Sequence, residues 1–147
     1  MGTRSLTRVI DQDKRILVVM YRQFDGYPEG HGAELCDFLK PMKMVNGYTN
    51  PDAKNEANGA GCLAAQLVAH FKTGVGGFYL EPTDTTDSNQ DFEYDIRVVG
   101  QRDNARIWLD AYECPYLSAK TRKLLFSVLP ENMDLVIEQY VEAQENE

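Results

Sequence analysis

Histidine is nearly missing from this 147-residue chain: there are two, His31 and His70, and one tryptophan. That leaves too few imidazoles for a site built from several His and Cys ligands. Cysteine is scarce as well. Cys36, Cys62 and Cys114 are odd in number, widely spaced and outside any C-x-x-C pair, which argues against a disulfide framework and a structural zinc. No metal and no cofactor is expected. Long apolar runs are also lacking. The longest, Ile16 to Met20, is far short of the ~20 residues a bilayer span needs. No basic, apolar and small-residue succession opens the chain, and Leu6 stands where N-myristoylation wants Ser or Thr. The expected setting is the cytoplasm, without membrane attachment.

Basic residues are missing from two stretches. Glu81 to Asp95 holds six acids and no base, and so does Glu131 to Glu147. Without those twelve the body has 11 acidic against 15 basic residues, although the whole chain carries −8. Overall acidity disfavours direct nucleic-acid binding, which needs a basic surface to displace counterions. Both acidic runs read first as a solvated loop and a solvated face. A chain 43% hydrophobic and 26% charged is nonetheless an ordinary globular composition, so disorder is excluded.

What is there predicts one α+β domain over 1–147, with no repeat and no linker. Arg4 to Ile10 and Arg15 to Tyr21 read as strands around an Asp11–Lys14 turn. The second, apolar on both faces, is expected at the centre of the sheet. Helices follow over Gly32 to Lys40 and Cys62 to Lys72, the latter with Leu63, Leu67, Val68 and Phe71 as its buried stripe. Gly77 to Leu80 reads as a strand. Phe92 to Val98 and Arg106 to Ala111 alternate as a hairpin. Met42 to Ala57 looks irregular, and residues 115–129 carry no clear pattern. Pro130 and Glu131 open an acidic C-terminal helix, about 131–145, with Met133, Val136, Ile137, Tyr140 and Val141 at helical spacing. The order β-β-α-α-β-β-β-α with short turns predicts a single, mainly antiparallel sheet with helices packed on it.

Two segments carry candidate chemistry. Between a strand and a helix lie Arg22, Gln23, Phe24, Asp25, Tyr27 and His31 among three glycines, the kind of junction where ligand sites form. Asn58, Gly59, Ala60, Gly61 and Cys62 form a second glycine-rich helix entrance. It suits an anion, though it matches neither a Walker A loop nor the dinucleotide fingerprint. The expected ligand-binding set is Arg22, Gln23, Asp25, Tyr27, His31, Asn58, Gly59 and Gly61. Arg22, Asp25, Tyr27 and His31 are expected to converge beside Gly59 to Gly61, the rings stacking on a base and Arg22 pairing with a phosphate. The plainer alternative is a loop whose glycines only turn the chain and whose Asp25 caps a turn.

Other motifs weigh less. Cys62 at a helix start has the setting of a nucleophile. However, His70 lies eight residues along the same helix, about 12 Å away at ~1.5 Å per residue, so only His31 could serve it. His70, seven residues after Leu63, is expected in the core. Asp87, Asn89 and Asp91 resemble half a calcium loop, but Phe92 replaces its glycine and Val98 its closing glutamate. Lys120, Arg122 and Lys123 read as an exposed face.

Met1-Gly2-Thr3-Arg4-Ser5-Leu6-Thr7, Tyr21-Arg22-Gln23, Asp25-Gly26-Tyr27-Pro28 and Gly30-His31-Gly32 together resemble a family of small uncharacterised proteins of bacteria, phages and other mobile elements. The resemblance continues through Val45-Asn46-Gly47, Asn58-Gly59, Gly61 to Leu67 and Gly76 to Leu80, and departs after Asn104. It implies no activity. It implies context: a phage or prophage accessory protein, in one version acting on a host defence system. The leading expectation is therefore a non-enzymatic accessory protein that binds a small anionic or nucleotide-like ligand, or a host protein. The alternatives are a hydrolase using Cys62 or His31, and an acidic protein presenting its last helix to a basic partner. A homo-oligomer stays open.

Overall fold

Strands dominate the first quarter of the chain because β-branched and aliphatic residues crowd it, and Asp11 fixes where they turn. Its Oδ1 accepts from the backbone N–H groups of Asp13 and Arg15, both at 2.9 Å, while Lys14 takes φ 65°, a side-chain-made turn. A computed structural model describes residues 2–47, 51–115 and 121–146. Lys120 of the basic cluster and Glu147 of the tail lie outside them.

Strands β1 (Ser5–Ile10) and β2 (Ile16–Arg22) form the predicted hairpin. One π-helical turn, Pro28–Gly32, leads into α1 (Ala33–Leu39). Short strands β3 (Lys43–Val45) and β4 (Glu56–Asn58) pair in parallel within the stretch expected to be irregular. Then come α2 (Ala60–Phe71), β5 (Phe78–Glu81), β6 (Phe92–Val99), β7 (Arg106–Glu113), β8 (Lys123–Val128) and α3 (Met133–Glu145). The larger sheet runs β5-β2-β1-β6-β7-β8, with every neighbouring pair antiparallel except β1 and β6. This is the expected α+β class with a mainly antiparallel sheet.

Two expectations need correction. β2 is not central: β5 covers one of its sides and β1 the other, one place from the edge. The centre belongs to β1 and β6. Polar Ser5, Thr7 and Arg8 disguised the central place of β1 in sequence, yet all three are buried, their side chains mostly satisfied by partners brought from far along the chain. The unassigned 115–129 stretch supplies β8, which pairs with β7 around an irregularity at Ala111/Tyr112.

The sheet's two faces differ in chemistry. Strand alternation sends Val9, Met20, Tyr94, Ile96, Val98, Ile107 and Leu109 to one face. There they join Leu35 and Leu39 of α1, Leu63, Leu67 and Phe71 of α2, and Met133 of α3 in one core cluster. The same alternation sends Arg8, Glu93, Asp95, Arg97 and Asp110 to the other face. Arg8, Glu93, Asp95 and Asp110 are buried there as well. Arg8 Nη2 donates to the Thr85 carbonyl at 3.2 Å, and Gln90 Nε2 to Glu93 at 3.0 Å, so the loop between β5 and β6 closes over this polar face. None of the helices is long and apolar enough to cross a membrane among the described residues.

Candidate functional site

Arg22 ends β2 and His31 lies in the π-helical turn before α1, so rigid elements fix both. His31 is fully buried, ringed by Phe71, Phe78 and Tyr94 at centroid distances of 5.2, 6.1 and 5.4 Å. Arg22 Nη1 lies 2.9 Å from His31 Nδ1, and His31 Nε2 lies 2.9 Å from Thr7 Oγ1. A guanidinium can only donate. Nδ1 is therefore the acceptor, and Nε2–H donates to Thr7. Burial, and then the Arg22 charge, push the imidazole down to about 3, so His31 is neutral and serves to orient Arg22.

The same guanidinium lies 5.0 Å over the Phe78 ring and donates to Glu34 at 2.6 and 3.4 Å. Beside it opens a groove of about 320 Å³ lined by Arg22, Glu34, Asp37, His70, Phe71 and Phe78. His70 is exposed there rather than in the core, its ring 4.9 Å from those of Phe38 and Phe71. It sits in the last turn of α2 at the rim of the apolar stripe, whose buried members there are Leu67 and Phe71.

The rest of the expected constellation does not converge. Asp25 is exposed at φ 59°, and its Oδ1 accepts from Tyr27 Oη at 3.3 Å. The Asp25 charge holds the Tyr27 phenol above its ordinary value. Neither residue lines the groove. Gln23 extends the β2–β5 pairing, its backbone N–H donating to the Gly77 carbonyl at 2.9 Å. The groove lies at the C-terminal end of α2, whereas Asn58, Gly59 and Gly61 lie at its N-terminal end. Eleven residues of helix, about 16 Å at ~1.5 Å per residue, separate them. Asn58 Oδ1 is occupied by the Gly47 N–H at 3.2 Å. A shared site is therefore excluded by the length of α2.

The glycines also reverse their expected roles. A Cβ on Gly26 would lie 2.8 Å from the Arg4 backbone, and one on Gly30 2.7 Å from the Asp25 carbonyl. These glycines admit the protein's own chain rather than a ligand. Tyr94 Oη completes the packing by donating to the Gly26 carbonyl at 2.7 Å. Open space surrounds Gly59 and Gly61 instead.

The Cys62 thiol donates to Gln66 Oε1 at 3.2 Å and is exposed, while His31 is committed to Thr7 and Arg22 beyond the far end of α2. The geometry offers Cys62 no base. On α3, Asp134 pairs with Lys40 at 2.7 Å, and Glu131, just before the helix, pairs with Arg106 at 2.6 Å. Two of the tail's acids are thus tied to the body, and Glu138, Glu142 and Glu145 are exposed.

Sequence reasoning missed a second constellation, on the polar face of the sheet. Arg8, Glu93 and Asp95 form a buried ionic cluster, joined from its rim by the exposed Arg122, beside a cleft of about 320 Å³. A signal was present: an arginine in the middle of a predicted strand, flanked by Leu6 and Val9. Its carboxylate partners looked like the solvent side of a hairpin, because nothing local reveals that a loop folds over them. Set against known proteins, the chain matches no family model, no curated protein and no solved structure.

Proposed function

We propose that this chain is an accessory protein of a phage or mobile element that acts by binding, and that its ligand is a small molecule with an anionic group and a planar ring, seated in the Arg22 groove. One observation carries the reading: a buried neutral histidine is spent on aiming a single guanidinium. Arg22 is locked by His31 from behind and by Phe78 beneath, which lowers the ordering cost of a ligand's bidentate bonds. Its present counter-ion, Glu34, is 49% exposed in its side chain, so the pair is worth at most about 1 kcal/mol and exchanges readily. Glu34 thus occupies the seat that a phosphate or carboxylate would take. Asp37 opposes any anion there, so the affinity is modest and the ring must contribute by stacking on the exposed His70.

The test is calorimetric titration with adenosine monophosphate. Glu34→Gln should tighten binding, because it removes the internal competitor, and Arg22→Lys should weaken it through loss of the planar fork. Binding unchanged by both substitutions refutes the reading.

A separate observation favours a host protein as partner. β5 is an edge strand exposing Tyr79 and Leu80, with Val75 just before it and Phe24 past the end of β2 also exposed. An open edge with apolar residues invites an added strand. Capture of a host protein that is lost with Leu80→Lys, but kept with Leu135→Lys on α3, would support this reading. Equal capture by both variants would refute it.

A further inference from the structure

The fold leaves its last helix half uncovered, with charges arranged against that helix's own stability. Of the apolar positions on α3 only Met133 is buried; Val136, Ile137, Tyr140 and Val141 are half-buried, and Leu135 is 55% exposed. The Lys40–Asp134 ion pair, at 2.7 Å, holds the end of α1 against the start of α3. Between the two helices lies a groove of about 290 Å³, lined by Ala33, Cys36, Met133 and Ile137 with the acids Asp37, Asp134 and Glu138. Cys36 and Met133 are buried, so Ala33 and Ile137, both half-buried, offer the apolar surface. Val141, four residues after Ile137, continues it along the same helix face.

Asp134, Glu138 and Glu142 follow one another at i, i+4 spacing, where like charges repel. Glu142 and Glu145 stand at the negative end of the helix dipole, and the last turn has no basic residue to offset them. Lys40 answers Asp134, but among the described residues no ion pair holds Glu138, Glu142 or Glu145. No basic side chain lines the groove. What it lacks is positive charge carried on an elongated apolar body. An anionic membrane surface would be repelled by the same acids. A second copy that laid α3 on α3 would set acid against acid. A metal ion lacks ligands, since no group of three His, Cys, Asp or Glu suited to one exists among the described residues.

We propose that the groove between α1 and α3 receives a basic amphipathic helix of a partner protein. Its apolar residues lie on Ala33, Ile137 and Val141, and its Lys or Arg side chains face Asp37, Glu138 and Glu142. Helix-in-groove recognition uses anchors at i, i+3, i+4 and i+7, the spacing at which Asp134, Ile137, Glu138 and Val141 line the α3 side. From Asp134 to Glu145 the helix runs about 16 Å at ~1.5 Å per residue, enough for about three turns of a partner. Cations set against it relieve the repulsion within α3, so charges that cost the free chain stability favour the complex. The site does not depend on the reading of the Arg22 groove. Asp37 lines both grooves, so the test rests on Glu138, which lines this one alone.

The experiment titrates the full chain with a synthetic leucine–lysine peptide of about 14 residues, its leucines at helical spacing, followed by fluorescence anisotropy and amide NMR shifts. Saturable binding that weakens with salt is expected, with shifts at Asp37, Ile137, Glu138 and Val141. The double variant Glu138→Lys, Glu142→Lys, at two exposed positions, should weaken binding about tenfold or more. It should also raise the melting temperature, because it removes like-charge pairs along α3. Asp84→Lys, in the other acidic run, and Glu34→Gln, at the Arg22 groove, should leave peptide binding unchanged. A peptide with serine in place of leucine should bind far more weakly. Absent binding overturns the proposal, and so does equal binding of the serine–lysine peptide. So does binding that Asp84→Lys removes while the α3 variant keeps it, or a lowered melting temperature in that variant. Self-association of the free chain with shifts at the same four amides would give the groove to a second copy, and would overturn it too.

Discussion

Replacing Arg22 by alanine removes a surface ion pair, a ring contact and the partner of a buried imidazole at once, and the three losses differ in size. The Glu34 pair is half exposed and worth at most about 1 kcal/mol. The guanidinium over Phe78, with the Arg22 side chain 12% exposed, adds about 0.5–1 kcal/mol. The largest loss is at His31 Nδ1, a buried acceptor left without its donor, at about 1–3 kcal/mol. Arg22→Ala should therefore cost about 2–4 kcal/mol, against under about 1 kcal/mol for Glu34→Ala, which removes the ion pair alone. The assay is urea unfolding, with a lower midpoint at unchanged slope as the expected signature. Arg22→Lys retains a donor and should fall between the two. If Arg22→Ala costs no more than Glu34→Ala, the relay from Thr7 through His31 to Arg22 is not holding the loop. The reasoning then fails.

Acid stability and backbone crowding supply two more tests. His31 is held at about 3 in the fold, against 6.5 when free, so protonation favours the unfolded chain. Its contribution is intact above pH 6.5 and declines as pH falls toward 3, at up to ~1.4 kcal/mol per unit. Between pH 6.5 and about 4.5 this slope stands apart from that of Glu93, Asp11 and Glu131, whose lowered values act only below the usual carboxylate range, and Asp95, raised by burial, acts with the opposite sign. In pH-dependent unfolding, His31→Gln should flatten that window while lowering stability overall, and an unchanged slope would contradict a buried neutral imidazole. Gly26→Ala should cost about 1–3 kcal/mol, because its Cβ would meet backbone atoms of Arg4 and Ser5. Gly61→Ala, inside α2 with open space around it, should be neutral or stabilising by about 0.5–1 kcal/mol. The reverse order in thermal melts would show that the roles of the two glycines have been misassigned.

Most of the fold was legible because it rests on local periodicity. Leu63, Leu67 and Phe71 announce α2, and Tyr94, Ile96 and Val98 announce β6. The Asp11 turn is equally readable, since one side chain makes it. What escaped was long-range pairing. No local pattern tells β1 to run parallel to a strand that begins 87 residues later, and that pairing moves the centre of the sheet from β2 to β1. The candidate site fared likewise. Arg22 and His31 were singled out and do meet, but their partners Thr7, Glu34 and Phe78 come from three other elements. The entrance at Gly59 was joined to them on chemical resemblance alone, and the length of α2 forbids it.

The two arginine sites show how one sheet can hold charge in two ways. Arg22 meets a half-exposed partner, and when that pair opens Glu34 turns to water while His31 Nδ1 and the Phe78 ring still hold the guanidinium. Arg8 cannot open its pair. Arg8, Glu93 and Asp95 are all under a tenth exposed, so losing any one leaves a buried charge uncompensated, which typically costs about 3–5 kcal/mol. Such a network seldom adds stability beyond what apolar residues of similar volume would give, and on β6 alternating valines would satisfy the strand equally well. Stability is thus a poor reason for three buried charges beneath a loop. The cluster makes better physical sense as a clasp: Arg8 and Arg122 reach Glu93 and Asp95 on β6 from β1 and from the segment before β8, and Arg8 also holds the Thr85 carbonyl of the loop above.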